Sequence, residues 1–145
     1  MARPVKIRKV EVFPIETYFK PLGKKKCECE EVTLKIEELE AARLKDLEGL
    51  SQEEGAQRMG ISRQTYQNIL DEARRKMTLA LVEGKAIHIG GGDYTTKHCL
   101  FKCQECHEVY PIEYQVNREK CPKCGGTKVT CHKKQDHCKK WCTNH

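Results

Sequence analysis

The chain has 145 residues, enough for one or two small domains and too few for a large buried core. Hydrophobic residues make up only 38%, and no apolar run approaches the roughly 18 residues of a membrane span, so no membrane partner is expected. Lysine and arginine total 27 against 21 aspartates and glutamates, and the net charge of +6 admits a polyanionic partner without establishing one.

The opening "MARPVKIRKVEV" is basic, but no continuous apolar segment comes after it, so no secretory signal is read and a cytoplasmic location is expected. Within it, "VKIRKVEVF" alternates partially, as a strand or an arm would. Arg3, Lys6, Arg8 and Lys9 could reach DNA backbone or minor groove, although a solvated edge is the preferred reading. "IEELEAARLKDLE" (Ile36 to Glu48) predicts a helix with Leu39, Ala42 and Leu47 inward, closed by Gly49. Ser51 and Glu54 form a capping box that opens a short helix over 52–58, and Gly60 supplies a left-handed turn at little cost.

A longer helix is predicted over 63–82, with Ser62 as N-cap, Ile61 and Tyr66 as a hydrophobic staple, and Gly84 as its end. At 100° per residue, Ile69, Leu70, Ala73, Met77, Ala80 and Leu81 fall within about 60° of Tyr66. Gln64, Asn68, Asp71 and Arg75 cluster opposite. A helix, a short helix, a glycine turn and a longer helix in that order suit a helix-turn-helix, whose second helix enters the DNA major groove. The plainer alternative is a small bundle with a solvated polar face. The residue types decide between them. Ser62, Arg63, Gln64, Thr65, Gln67 and Asn68 are hydroxylated or forked side chains able to bond base edges. A face selected for solubility alone would carry more Glu and Lys. Arg74, Arg75 and Lys76, further along, suit phosphate contacts.

"GGGDYTTKH" (Gly90 to His98) is glycine-rich and aperiodic, and reads as a linker. Eight of the ten cysteines stand at or after Cys99. Cys103-x-x-Cys106 and Cys121-x-x-Cys124 offer two thiolate knuckles, which together complete a tetrahedral four-sulfur shell. The spacing is that of a zinc ribbon, a closed site that argues for folding rather than catalysis. The tail "CHKKQDHCKKWCTNH" holds Cys131, His132, His137, Cys138, Cys142 and His145. Cysteine and histidine together suit a second Zn²⁺, with Cys131, Cys138, Cys142 and one histidine, His137 among the candidates, as ligands. The rival reading leaves these thiols free and oxidisable, with Cys27 and Cys29.

"RPVKIRKV", "TYFKP", "ELEAARLKDLEGLSQEEGAQRMGISRQTYQNILDEARRK" and "ALVEGKAIHIGGG" resemble the UPF0251 (DUF134) family of predicted prokaryotic DNA-binding proteins. The resemblance spans about residues 1–92 and implies a helix-turn-helix similar to region 4 of sigma factors, and DNA binding. It supplies no target. Two positions depart from the family pattern. Gly55 stands where alanine is expected, a change that weakens a helix by about 0.5–1 kcal/mol. "KKKCECEE" replaces an ordinary stretch, so Cys27 and Cys29 inherit no role.

These readings predict a mainly α helix-turn-helix domain followed by a small β zinc-ribbon domain. The divisions are an N-terminal arm (1–33), the helix-turn-helix domain (34–92), a linker (93–98), the ribbon (99–130) and a Cys/His-rich tail (131–145). The expected function is a sequence-specific DNA-binding transcriptional regulator with structural Zn²⁺. Its expected partners are double-stranded DNA and, secondarily, the transcription machinery, with homodimerisation left open. The alternatives are a metal- or redox-sensing regulator and an RNA- or protein-docking ribbon protein. No nucleophile–base set, phosphate loop or open metal site is visible, so no enzyme is expected.

Overall fold

The computed structural model describes residues 5–96 and 99–132. Helix α1 (Ile36–Ala42) begins where the Glu38 carboxylate accepts the Lys35 amide at 2.8 Å. It runs into a π-helical turn, Arg43–Leu47, in which the Glu48 amide donates to the Arg43 carbonyl five residues back at 3.0 Å. The wider turn shifts the side chains around the helix axis. Leu44 becomes fully buried, whereas Leu47, expected inward from a plain α period, is 80% exposed.

Helix α2 (Gln52–Met59) carries both bonds of the expected capping box: Ser51 Oγ accepts the Glu54 amide at 3.2 Å, and the Glu54 carboxylate accepts the Ser51 amide at 3.1 Å. Gly60 ends it at φ +68°, a conformation that costs glycine little. Helix α3 (Arg63–Glu83) is capped by Ser62, whose Oγ accepts the Thr65 amide at 3.1 Å. Tyr66, Leu70, Ala73 and Ala80 are buried along it, with Ile69 and Met77 packed against the same core. Leu81, expected on this face, is 80% exposed. At 21 residues α3 outruns the eight-residue α2, so its last turns have less to pack against.

Strands β1 (Arg8–Lys9), β2 (Tyr18–Phe19) and β3 (Glu31–Leu34) precede the helices, and β4 (Ala86–Ile89) and β5 (Tyr94–Thr95) come after them. β4 is the centre of a sheet ordered β2-β4-β3, antiparallel to β2 and parallel to β3, with Val32 beside Ile87. The helices are thus the crossover that a parallel pair requires. β1 pairs parallel with β5. Strands β6 (Leu100–Cys103), β7 (Val109–Pro111) and β8 (Val129–Cys131) make an antiparallel sheet ordered β7-β6-β8.

The architecture is mixed α/β, with three α-helices and three small sheets among the described residues, which corrects the expectation of a mainly helical domain followed by a ribbon. The overlooked strands are two to four residues long, and β3 meets β4 only after the whole helical crossover. A local periodicity has no access to such pairings.

Two cores result. One gathers Val10, Leu34, Ile36, Leu44, Ala56, Met59, Tyr66 and Leu70 under the helices, and the other gathers Ile7, Phe101, Cys103, Tyr110, Ile112 and Cys121 in the ribbon. The N-terminal segment, read as a solvated edge, supplies a residue to each: Ile7 is 3% exposed and Val10 2%. The stretch read as a linker contains β5, and both of its residues are buried. No helix among the described residues is long and apolar enough to cross a membrane.

Candidate metal centre and helix-turn-helix surface

The two knuckles are built alike. Cys103 closes β6, its amide donates to the Glu108 carbonyl at 2.9 Å, and its carbonyl accepts the His107 amide at 2.9 Å. In the second knuckle the Cys121 amide donates to the Gly126 carbonyl at 2.8 Å, and the Cys121 carbonyl accepts the Gly125 amide at 2.9 Å. The residue after each Cys-x-x-Cys is left-handed: His107 at φ +62° and Gly125 at φ +74°. Gly125 marks the second of these turns in the sequence, where a glycine gives the knuckle conformational room; the matching turn at His107 and the paired backbone hydrogen bonds were missed. Amides of Cys106, Lys123 and Gly126 donate to the sulfurs of Cys103, Cys121 and Cys124 at 3.4–3.5 Å.

The four Sγ atoms lie within 4.8 Å of one another, with Cys103 to Cys124 and Cys106 to Cys121 both at 3.6 Å. Thiolates at roughly 2.3 Å from a central ion form a tetrahedron with edges of about 3.8 Å, so the donor set fits a four-coordinate metal. Among the described residues, these cysteines are the one group of three or more His, Cys, Asp or Glu side chains able to hold a metal ion. Cys103 and Cys121 are buried and Cys106 half-buried.

The electrostatics favour a cation. The amides of Cys124 and Lys123 help hold the Cys121 thiol down at about 7. The Gly126 amide pulls Cys124 down, but the thiols of Cys103 and Cys106 together with burial push it up to about 12. Cys106 is also raised. One thiolate forms readily, and a second beside it does not unless a metal neutralises the pair. Tyr110 lies against the cluster, its phenol pushed up to about 12 by burial and by the neighbouring thiolates, and its hydroxyl donates to the Asn117 carbonyl at 2.5 Å.

The remaining described cysteines are not members of this four-thiol group. Cys27 is exposed in a 3-10 turn (Lys26–Glu28), and the Cys29 thiol donates to the Lys25 carbonyl at 3.4 Å. Burial raises the Cys99 thiol, but hydrogen bonds from Thr96 and Thr95 and the charge of Arg118 bring it below its usual range. Of the tail ligands, Cys131 ends β8 and His132 is the next residue, while His137, Cys138, Cys142 and His145 lie outside the described residues.

On the helix-turn-helix, Ser62, Arg63, Gln64 and Asn68 are exposed at the N-terminal end of α3, and Thr65 and Gln67 are half-buried. Gln64 donates to Asn68 Oδ1 at 3.0 Å and Gln67 to Asp71 Oδ1 at 2.6 Å, so the amides are aligned along the helix. Arg63 lies 3.7 Å from Glu53 across the turn. Arg74 pairs with Asp46 at 2.5 Å and Arg75 with Glu72 at 2.6 Å, both in exposed pairs. Lys76 is turned away from this stripe to Glu38 at 2.7 Å, in a largely buried pair. In the N-terminal segment, Arg8 is committed to buried Glu37 at 3.1 Å, while Lys9 is exposed with its aliphatic stem against Gly60.

A family model described as "Protein of unknown function DUF134" matches residues 1–97, from the N-terminal segment through β5. The UPF0251 protein of Clostridium novyi (strain NT) is 60% identical over 98% of this chain and 97% of its own length. The UPF0251 protein of Clostridium tetani is 57% identical over 100% of the chain and 99% of its length, and that of Clostridium beijerinckii 60% identical over 98% and 96%. No solved structure matches. With a family model covering two thirds of its length and relatives matching through the ribbon, the chain belongs to the DUF134 (UPF0251) family.

Proposed function

We propose that the protein is a sequence-specific DNA-binding transcriptional regulator, with zinc as a structural element of its ribbon. The observation that carries the reading is the set of exposed polar side chains of Ser62, Arg63, Gln64 and Asn68 at the start of α3, which follows the tight Gly60 turn. Its amides and guanidinium offer bidentate donors and acceptors of the kind that reads base edges in the major groove. Gln64 and Asn68 are assigned to base contacts, and Ser62, Arg63, Thr65 and Gln67 to the surrounding edges and phosphates. Arg74 and Arg75 can exchange exposed carboxylate partners for phosphate oxygens at small cost, since such surface pairs are worth only about 0.2–1 kcal/mol. Lys76 stays with Glu38 and orients α3 against α1. The net charge of +6 favours association with a polyanion.

Zinc, held by Cys103, Cys106, Cys121 and Cys124, would supply the cross-link that so small a ribbon core lacks. The proposal contains no catalytic step. Selection of genomic DNA fragments on the purified, zinc-loaded protein tests it. Enrichment of a shared motif, with binding that weakens steeply as salt rises, is the expected result. Recovery of unrelated fragments, or none, rejects it.

A further inference from the structure

The two sites are joined by one short extended segment. Its first part belongs to the ribbon: the Ile7 amide donates to the Glu113 carbonyl at 2.9 Å, the Gln115 amide to the Val5 carbonyl at 2.9 Å, and the Ile7 side chain packs in the core that contains Cys103 and Cys121. Its last part belongs to the helices. Val10 belongs to the core that contains Ala56, Met59 and Tyr66, and the Glu11 amide donates to Glu40 at 2.5 Å. The Glu11 carboxylate pairs with Arg58 of α2 at 3.1 Å. Between them, Arg8 and Val10 donate their amides to the chain at β5, at 2.9 and 2.8 Å, and the Lys9 stem lies over the glycine of the helix-turn-helix turn.

We infer that metal at the four-cysteine cluster regulates the helix-turn-helix through residues 6–11. The consequence for DNA rests on the function proposed above; the linkage between the sites does not. Ile7 and Val10 are about 10 Å apart along an extended strand, with no slack segment between them. When the metal leaves, the ribbon core loses its cross-link, and with it the socket for Ile7. β1 is then anchored from one end, and the contacts it makes with α2 and the turn loosen. Because linkage is reciprocal, DNA that rigidifies the turn tightens metal binding by the same factor.

The test is amide hydrogen exchange on the full chain, loaded with Zn²⁺ or stripped with a chelator. Metal removal is expected to speed exchange at Arg8, Val10, Gly60 and Ile61 at least tenfold. Unchanged exchange at these four amides overturns the inference. Glu11→Ala removes the carboxylate that pairs with Arg58 of α2 at 3.1 Å and with Arg43 at 3.5 Å, and leaves Val10 and the Lys9 stem in place. In that variant Arg8 and Val10 should respond to metal as in the wild type, while the response at Gly60 and Ile61 should be smaller by about threefold or more. A wild-type response at Gly60 and Ile61 overturns the route through residue 11. In parallel, affinity for the selected DNA at fixed salt should fall about tenfold on metal removal in the wild type and less than threefold in Glu11→Ala. If the zinc-loaded protein binds no DNA, the proposed function fails, and the exchange data still decide the linkage.

Discussion

Gly55 of α2 makes room for Tyr66 of α3: a Cβ placed on Gly55 would stand 2.7 Å from Tyr66 Cζ and 2.8 Å from its hydroxyl oxygen. The phenol passes through that gap to donate to the Ala41 carbonyl of α1 at 2.7 Å, so one ring ties three helices together. In the sequence Gly55 looked like a weak point in a short helix, and in the fold it is the condition for the Tyr66 contact. Gly55→Ala is therefore expected to destabilise the protein by about 1–3 kcal/mol through overpacking, against a helix-propensity gain of up to about 1 kcal/mol. In a Tyr66→Leu background, which removes the struck atoms, the same substitution should be neutral or stabilising. Urea unfolding of the two single variants and the double variant measures the coupling, and additive effects would contradict it.

The ribbon should fold only with metal. Its core is small, and zinc coordination contributes apparent binding energy of about 10 kcal/mol or more. Cys121→Ser is expected to abolish the ribbon's chemical-shift dispersion and leave the α-helical signal in place. A dispersed ribbon spectrum after complete chelation would reject the claim.

The matched knuckles make His107 and Gly125 equivalent. A non-glycine residue pays about 1 kcal/mol or more for the left-handed conformation, so His107→Gly should leave metal affinity unchanged or improved. His107→Val, with a β-branched side chain, should weaken it several-fold in competition with a chromogenic chelator. If His107→Gly lost metal as severely as His107→Val, the side chain rather than the backbone would be the feature that matters.

On the proposed reading surface, Gln64→Ala or Asn68→Ala should cost about 1–3 kcal/mol at the selected site and relax its specificity. Arg75→Ala should weaken all sequences alike and lower the salt slope by about one. An unchanged affinity and motif for the Gln64/Asn68 double variant, measured by fluorescence anisotropy, would remove α3 from base recognition.

What the sequence by itself determined is what depends on neighbours along the chain. The caps at Ser51 and Ser62, the turn at Gly60 and the full extent of α3 rest on bonds between residues three or four apart. The four thiols of the metal centre were legible for a related reason, since each knuckle is a local turn and only two knuckles had to meet. The tertiary structure alone decided the rest. The π turn that buries Leu44 and exposes Leu47 changes the period by a single residue. The pairing of β3 with β4, and of β1 with β5, closes loops dozens of residues long between strands too short to show alternation. Gly55 found its reason only when Tyr66 arrived from another helix. Ile7 and Val10 look like alternating surface residues until two separate cores close around them, because burial is a property of the partner surface and not of the side chain alone.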